Sequence, residues 1–379
     1  MIQFRCRACA ADAGQVVLDL GLQPACDYFP SRGDAGPDPV YPLQMWLCAK
    51  CGLAQLMADP TVPEEPRGAE PAALVAQAAD AVRRASAAGL LPAGSTVAEF
   101  GSPHGGSWLT ELAACGLQPV PAGQPADVIV DCFGLMHAAD QAAALADRVR
   151  RVCAGGVLLL QYHSLDAIIR LGQWNALRHG HYAYYSTTAL MEMLAVQGFA
   201  AQTAWRFELY GGTVLLAARR ESDYKAAPDE SVRDQVAGDA SAGVRDPAVL
   251  AGLQHDLVVQ TSRMRAWLAV ERAAGRTVLG YGAASRAVAL LRMAGADSSV
   301  LPAVVDASPA KHGLRMPGTD IPVISPAELG MRRPDSVLLF LPDLLAEVRA
   351  AYPEVEAAGG SWVAAEMHLA AGAELVPPG

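Results

Sequence analysis

Four cysteines near the amino terminus have the types and spacing of a metal site. Cys6 and Cys9 form one Cys-x-x-Cys pair, and Cys48 and Cys51 form a second. Zinc is held by four thiolates in a tetrahedron, and a gap of two residues lets both thiolates of a pair reach one ion. The four cysteines therefore predict a closed structural zinc site, which has no open position for a catalytic water.

A disulfide framework and a redox pair are the alternatives for these cysteines. A chain of 379 residues can bury a core without covalent staples, and its other cysteines are placed singly in apolar contexts. Neither Cys-x-x-Cys pair opens a helix after a strand, which is the arrangement that activates a redox thiol. Zinc is the favoured interpretation.

A segment rich in histidine and tyrosine offers acid–base chemistry. Residues 178–186 read RHGHYAYYS and include His179 and His181. Imidazole exchanges protons near neutral pH, so both are candidate catalysts, with a packed surface loop or a second metal site as alternatives. His137 follows a predicted strand and is a further candidate, with a buried core histidine as its alternative.

Two glycine-rich turns, each between a strand and a helix, are candidate ligand sites. The first reads GSPHGG, and its candidate cofactor-binding residues are Gly101, Ser102, His104 and Gly105. Backbone N–H groups at such a turn accommodate a nucleoside or its phosphates, although a turn without a ligand has the same pattern.

The second turn reads GYGAASR and adds a basic residue at the start of its helix, where an anion meets the helix dipole and a guanidinium. A strand-end aspartate and a nearby lysine follow it. The candidate substrate-binding residues are Gly280, Tyr281, Gly282, Ser285, Arg286, Asp306 and Lys311.

The elements that position these residues divide into three predicted domains. Prolines crowd residues 58–71 and indicate a linker. A helical pattern occupies residues 72–90, a polar and turn-rich stretch occupies 221–248, and a long helical pattern follows at 250–274. Short apolar runs predict buried strands at 97–100, 127–131, 157–161, 213–217, 277–281, 303–306 and 336–340. We predict an α/β protein with a zinc-binding domain (1–71), a truncated Rossmann-like domain (72–220) and a second Rossmann-like domain (221–379).

Composition excludes several classes of partner. The net charge is -10 and the basic residues are scattered, which disfavours nucleic acid. No apolar stretch reaches the roughly 20 residues that span a bilayer, so we expect no membrane partner and a cytoplasmic location.

Taken together, these motifs resemble the nucleotide-sugar C-methyltransferases. The resemblance is carried by residues 18–24 (LDLGLQP), 48–56 (CAKCGLAQL), 280–283 (GYGA) and 305–322. It implies that the zinc-binding and last domains hold a thymidine-diphosphate keto sugar and that the middle domain holds S-adenosylmethionine (SAM). It also implies that a histidine, aligned with His181, removes the proton beside the ketone before the methyl transfer.

The middle domain departs from that family pattern. Gly101-Ser102-Pro103-His104 replaces a Gly-Ser-Asn-Asp sequence, and Phe133 replaces an asparagine four residues before His137. After Pro119 the chain reaches the run beginning at Asp127 without the units that hold the ribose and adenine of SAM.

Three functions remain open at this stage. The first is methyl transfer from SAM to a nucleotide-activated keto sugar. The second is a SAM-independent enolisation, epimerisation, elimination or rearrangement on the same scaffold. The third is ligand or partner binding without catalysis.

Overall fold

The computed structural model describes residues 4–34, 36–61, 70–101, 105–121, 123–224, 227–365 and 369. The strands are β1 (Gly14–Pro24), β2 (Val40–Cys48), β3 (Ala54–Leu56), β4 (Thr96–Phe100), β5 (Gln118–Pro119), β6 (Ala126–Cys132), β7 (Val152–His163), β8 (Ala183–Tyr184), β9 (Phe199–Phe207), β10 (Thr213–Arg220), β11 (Val278–Tyr281), β12 (Val304–Val305), β13 (Val323–Ile324), β14 (Ser336–Leu339) and β15 (Ser361–Ala364). The helices are α1 (Ala72–Ala87), α2 (Leu109–Ala114), α3 (Gln141–Arg150), α4 (Leu165–Arg170), α5 (Thr187–Val196), α6 (Glu230–Ala242), α7 (Pro247–Leu250), α8 (Gly252–Ala273), α9 (Ser285–Ala294), α10 (Ala327–Arg332), α11 (Leu345–Ala351) and α12 (Glu354–Ala357).

An antiparallel sheet in the order β1-β2-β3-β8 follows the first cysteine pair. Its last strand, β8, comes from the histidine segment, because Ala54 and Gln55 pair with Tyr184 and Ala183. The inner face of this sheet shares one apolar core with α8 and α9, as Leu20 and Leu43 cluster with Leu257, Met264 and Leu291. The zinc-binding region and the carboxy-terminal region are therefore packed as one body.

The middle sheet has the order β5-β4-β6-β7-β10-β9. Strands β5, β4, β6 and β7 are parallel, whereas β10 runs antiparallel to both of its neighbours. The run Val157–Leu160 is buried on both faces, which explains its continuous apolar sequence. Helix α1 covers one face through Ala78, Ala81 and Val82, and α3 and α5 lie over the other.

The third sheet is parallel throughout, in the order β13-β12-β11-β14-β15. This is the doubly wound arrangement, with α9 crossing from β11 to β12. The predicted α/β class is confirmed, and so are the strands predicted in the middle and third sheets. The boundaries proposed at 71 and 220 stay predictions.

One local prediction was wrong. Residues 221–248 were expected to be polar and turn-rich, yet α6 occupies Glu230–Ala242. The Asp229 side chain accepts a hydrogen bond from the Val232 N–H at the start of this helix, and Gly243 ends it in the left-handed region. Capping residues and the buried side chains of Val232 and Asp239 thus stabilise a helix in a segment whose sequence is typical of turns. Among the described helices, none has the length and apolar character needed to cross a bilayer.

Candidate functional site

The four predicted zinc ligands meet at one point. The Sγ atoms of Cys6 and Cys51 are 3.6 Å apart, and those of Cys9 and Cys48 are also 3.6 Å apart. All four sulfur atoms lie within 4.8 Å of one another. A tetrahedron with Zn–S distances of about 2.3 Å needs sulfur atoms roughly 3.8 Å apart, so the thiolates fit zinc.

Gln55 hydrogen-bonds the cysteine cluster and the backbone beside it. Its Nε2 atom donates to Cys6 Sγ over 3.3 Å, and its Oε1 atom accepts the Arg7 N–H over 2.8 Å. Gln55 is fully buried on β3, and hydrogen bonds of this kind orient metal-binding thiolates. None of the four cysteines lines the cavity described next, so the cluster is a structural centre.

A cavity of about 320 Å³ lies where the zinc-binding, middle and carboxy-terminal regions meet. The carboxyl ends of parallel strands in the middle and third sheets line it, through Phe133 and His163 on one side and Tyr281 and Asp306 on the other. Doubly wound sheets bind ligands at this edge. The predicted site residues that line the cavity are His137, His181, Gly105, Tyr281, Gly282, Ser285, Arg286, Asp306 and Lys311.

Two predicted catalytic histidines lie side by side in this cavity. The ring centroids of His137 and His181 are 4.7 Å apart, and the rings are nearly perpendicular at 83°. His137 Nδ1 is 2.9 Å from the Gly180 carbonyl oxygen and must donate to it. The proton of neutral His137 is therefore on Nδ1, and Nε2 is its basic nitrogen.

Arg178 determines the environment of His181. Its Nε atom donates to His181 Nε2 over 2.8 Å, and a second guanidinium nitrogen contacts the same atom. Arg178 also hydrogen-bonds Ser285 Oγ at the start of α9 and is 3.8 Å from Asp27. Because the guanidinium occupies the lone pair of His181 Nε2, His137 is better placed than His181 to act as a base.

The sequence motifs did not predict the wall opposite the second glycine turn, which includes His163 and Tyr210. Arg286 Nη2 is 3.3 Å from His163 Nδ1, and its guanidinium is 5.6 Å from the centre of the Tyr210 ring. Burial, and then the charge of Arg286, lower the pKa of His163 well below its usual value, so this imidazole is neutral. The position of His163 at the end of β7 was the sequence signal, because strand ends face the ligand crevice.

Two aromatic residues beside Arg286 have strained backbones. Tyr210 has φ 58° and Phe133 has φ 60°, in the left-handed region that side chains rarely adopt. Their rings contact each other at 5.7 Å, and the Tyr210 N–H donates to Asp343 Oδ2 over 2.9 Å. Strain of this type concentrates at functional sites, because surrounding contacts must hold it in place.

Asp306 and Lys311 brace the second glycine turn. Asp306 Oδ2 accepts the Ala283 N–H over 2.7 Å, and Oδ1 accepts the Ser308 N–H over 2.8 Å. Lys311 Nζ donates to the Ala283 carbonyl over 2.8 Å and lies 3.9 Å from Asp306. These two residues fix the loop before α9, where helix N–H groups face the cavity.

Several predicted residues lie elsewhere. His179 is buried behind the wall, with Nε2 3.3 Å from the Pro42 carbonyl and its ring against Tyr41. Gly280 lies within β11, where a Cβ would approach Phe340 to 2.7 Å, so packing explains this glycine. Gly101 directly follows β4 and does not line the cavity, and Ser102 and His104 fall outside the described residues.

The middle sheet does not fit the adenosyl group of SAM. Strand β5 pairs only with Thr96 and Val97, and β4 continues to Phe100 beyond it. In a doubly wound sheet, an acidic residue at the end of this second strand holds the ribose, and the next unit completes the wall. Here Val120 follows β5 and the chain returns to β6 at Ala126. Within the described residues 105–121 and 123–132, neither feature is present.

Comparisons with known proteins find a family model that matches each end of the chain. The family model described as "C-methyltransferase C-terminal domain" matches residues 208–365. The model described as "Putative zinc binding domain" matches residues 6–64. A curated relative, C-methyltransferase NovU of Streptomyces niveus, is 24% identical over 374 residues, which cover 88% of this chain and 89% of NovU.

Solved methyltransferase structures match a shorter part of the chain. Magnesium protoporphyrin IX methyltransferase of Synechocystis PCC 6803 is 16% identical, with a TM-score of 0.29 over 39% of this chain and 84% of its own. N-methyltransferase NodS of Bradyrhizobium japonicum WM9 is 14% identical, with a TM-score of 0.28 over 39% of this chain and 87% of its own. Similarity at this level carries no argument about the ligand of this chain.

Proposed function

We propose that this chain, whose two ends match the models of a zinc-binding domain and of a C-methyltransferase carboxy-terminal domain, is an enzyme acting on a nucleotide-activated keto sugar or a related phosphate-bearing carbonyl compound. The reaction begins when an imidazole removes a proton from the carbon beside the carbonyl group. The observation that carries this proposal is the convergence of the His137–His181 pair and Arg286 on one cavity.

The carboxy-terminal wall suits the phosphate end of such a substrate. Helix α9 has ten residues, and among the described residues no side chain caps its first turn. Its N–H groups and the Arg286 guanidinium lie together at the cavity, and both favour an anion. The stacking of Arg286 on Tyr210 and its contact with His163 hold the guanidinium in a fixed orientation.

The opposite end of the cavity suits the carbonyl group. His137 has its ring proton on Nδ1, which leaves Nε2 to accept the substrate proton. Arg178 lies beside it through the contact with His181, and its charge is available to stabilise the enolate oxygen as negative charge develops. In this proposal His181 orients Arg178, and His179 supports the loop from behind.

Phosphate recognition is tested by titrating the zinc-loaded protein with thymidine diphosphate. Arg286→Ala is expected to weaken binding by about 1.5 to 3 kcal/mol, or roughly 10- to 150-fold, because a charge-assisted hydrogen bond is lost. Arg292→Ala is the matched control, since Arg292 is exposed in the last turn of the same helix. Equal affinities of the two variants, with unchanged melting temperatures, would contradict the proposed phosphate site.

A further inference from the structure

The edge of the middle sheet at β5 determines whether the enzyme can bind a nucleoside-containing methyl donor. A doubly wound sheet has the strand order 3-2-1-4-5. If β4 is taken as the first strand, the order β5-β4-β6-β7 corresponds to 2-1-4-5. The position of the third strand is skipped, because the chain passes from β5 at Pro119 to β6 at Ala126. The end of β5, where such a fold holds the ribose, therefore has no neighbouring strand on its outer side among the described residues.

The side chains at this edge are committed to other contacts. No Asp or Glu occurs from residue 112 to residue 126. Asp127, the first acid after β5, accepts hydrogen bonds from the N–H and Oγ1 of Thr96, at 2.8 and 2.7 Å. Glu99, near the end of β4, accepts hydrogen bonds from Trp108 N and Ser107 Oγ, both at 2.6 Å. Neither carboxylate is placed to hold a pair of ribose hydroxyls.

We infer that the enzyme uses no methyl donor and returns a proton to the carbon skeleton, so that its product is an isomer of its substrate. This inference rests on the proposed function for the proton removal and goes beyond it for the outcome. The C–H bond beside the carbonyl breaks, the proton passes to His137 Nε2, and the electron pair of that bond forms the C=C bond of an enolate.

When the carbon that lost its proton carries a hydroxyl group, transfer of that hydroxyl proton to the enolate oxygen gives the isomeric enolate. Return of the proton from the imidazolium to the former carbonyl carbon then forms a new C–H bond, and the former hydroxyl carbon becomes the carbonyl carbon of the product. The step needs no oxidant, reductant or group donor. The adjacent imidazole of His181, 4.7 Å away, lies on the same side of the cavity, so proton removal and return take place on one face of the substrate.

The first experiment is a calorimetric titration of the zinc-loaded protein with SAM, which needs no knowledge of the substrate. No binding is expected up to millimolar SAM, and the melting temperature is expected to stay constant. Saturable binding at micromolar SAM would overturn the inference and leave the proposed proton removal intact.

The second experiment follows a thymidine-diphosphate 4-keto deoxysugar in D2O by mass spectrometry and NMR, with and without SAM. Deuterium is expected at the carbon beside the ketone at equal rates in both samples, with no methylated product. His137→Gln is expected to lower the exchange rate by at least about 100-fold, because a positioned general base is lost. His255→Gln, on the exposed face of α8, is the matched control and keeps the rate.

The samples with and without SAM distinguish the failure of the proposed proton removal from the failure of the inference that no methyl donor is used. A methylated product that appears only with SAM overturns the inference alone. Binding of the sugar nucleotide with no exchange in either sample overturns the proton transfer, and hence both. Exchange at equal rates together with no SAM binding supports both.

Discussion

The junction between the zinc-binding and carboxy-terminal regions differs sharply from the exposed edge of the middle sheet. At the junction, Arg315 forms a buried two-pronged ion pair with Asp38, through contacts of 2.6 and 2.7 Å. Asp38 also accepts the Gly318 N–H over 2.6 Å. At the edge, β5 has two exposed residues, and no further strand covers it within the described chain.

The better-packed side of this comparison is also the side that matches known families. The family models match the regions on both sides of the junction, which we call the retained side, and neither match includes the middle edge. In the proposed function the retained side encloses the substrate, whereas the short edge leaves little structure to hold a nucleoside cofactor. The proposal therefore assigns substrate binding and cofactor binding to separate parts of the fold.

Removing zinc should have the largest effect on the retained side. Cys48→Ala is expected to abolish zinc binding and unfold the β1–β3 region, because structural zinc contributes roughly 10 to 16 kcal/mol of folding free energy in small zinc domains. Metal content and limited proteolysis measure the two effects. Cys115→Ala, at a half-buried cysteine outside the cluster, is the control and should keep its zinc.

Cys48→Ala also tests whether the zinc-binding and carboxy-terminal regions unfold together. Because β1 and β2 share a core with α8 and α9, the carboxy-terminal region should also lose protection from proteolysis. Digestion confined to residues before α1 would show that the two regions are independent.

Breaking the ion pair at the junction should have the next largest effect. Arg315→Ala leaves the Asp38 carboxylate buried without its partner, which costs about 3 to 5 kcal/mol in the free energy of unfolding. Arg349→Ala is the control, since its pair with Glu356 is exposed and contributes about 0 to 1 kcal/mol. Urea unfolding measures both, and similar losses in the two variants would show that the junction is no more tightly packed than the surface.

The sequence predicted most of what local patterns determine. Paired cysteines, apolar strands and glycine turns each act over short distances, so the zinc cluster and the parallel strands were found directly. The short connection between Pro119 and Asp127 was also visible, because it is read directly along the chain. The helical pattern at 72–90 corresponds to α1, which ends at Ala87.

Contacts between distant segments explain what the sequence did not show. His179 and His181 are two residues apart, yet one packs behind the wall and the other lines the cavity. Gly180, with φ 81°, makes the turn that separates them. Arg178 reaches Ser285 across more than a hundred residues, and Tyr210 reaches Asp343 in the same way. No spacing rule predicts such pairs, because the packing of the three regions creates them.

The smallest expected effect concerns proton binding on the retained side, at His179. Burial lowers the pKa of His179, whereas an unfolded histidine titrates near about 6.5. As the pH falls below about 6.5, the unfolded chain binds a proton that folded His179 does not, so the free energy of unfolding decreases. Each such group contributes at most about 1.4 kcal/mol per pH unit.

His179→Gln removes this difference in proton binding, so the loss of stability between about pH 7 and pH 5.5 should be smaller than in the parent protein. His163, whose pKa is lowered further, keeps its own contribution on the cavity side. Urea unfolding of zinc-loaded protein at several pH values measures the slope. An unchanged slope would mean that His179 takes up its proton in the folded state, and the wall behind the cavity would then be open to water rather than closed like the rest of the junction.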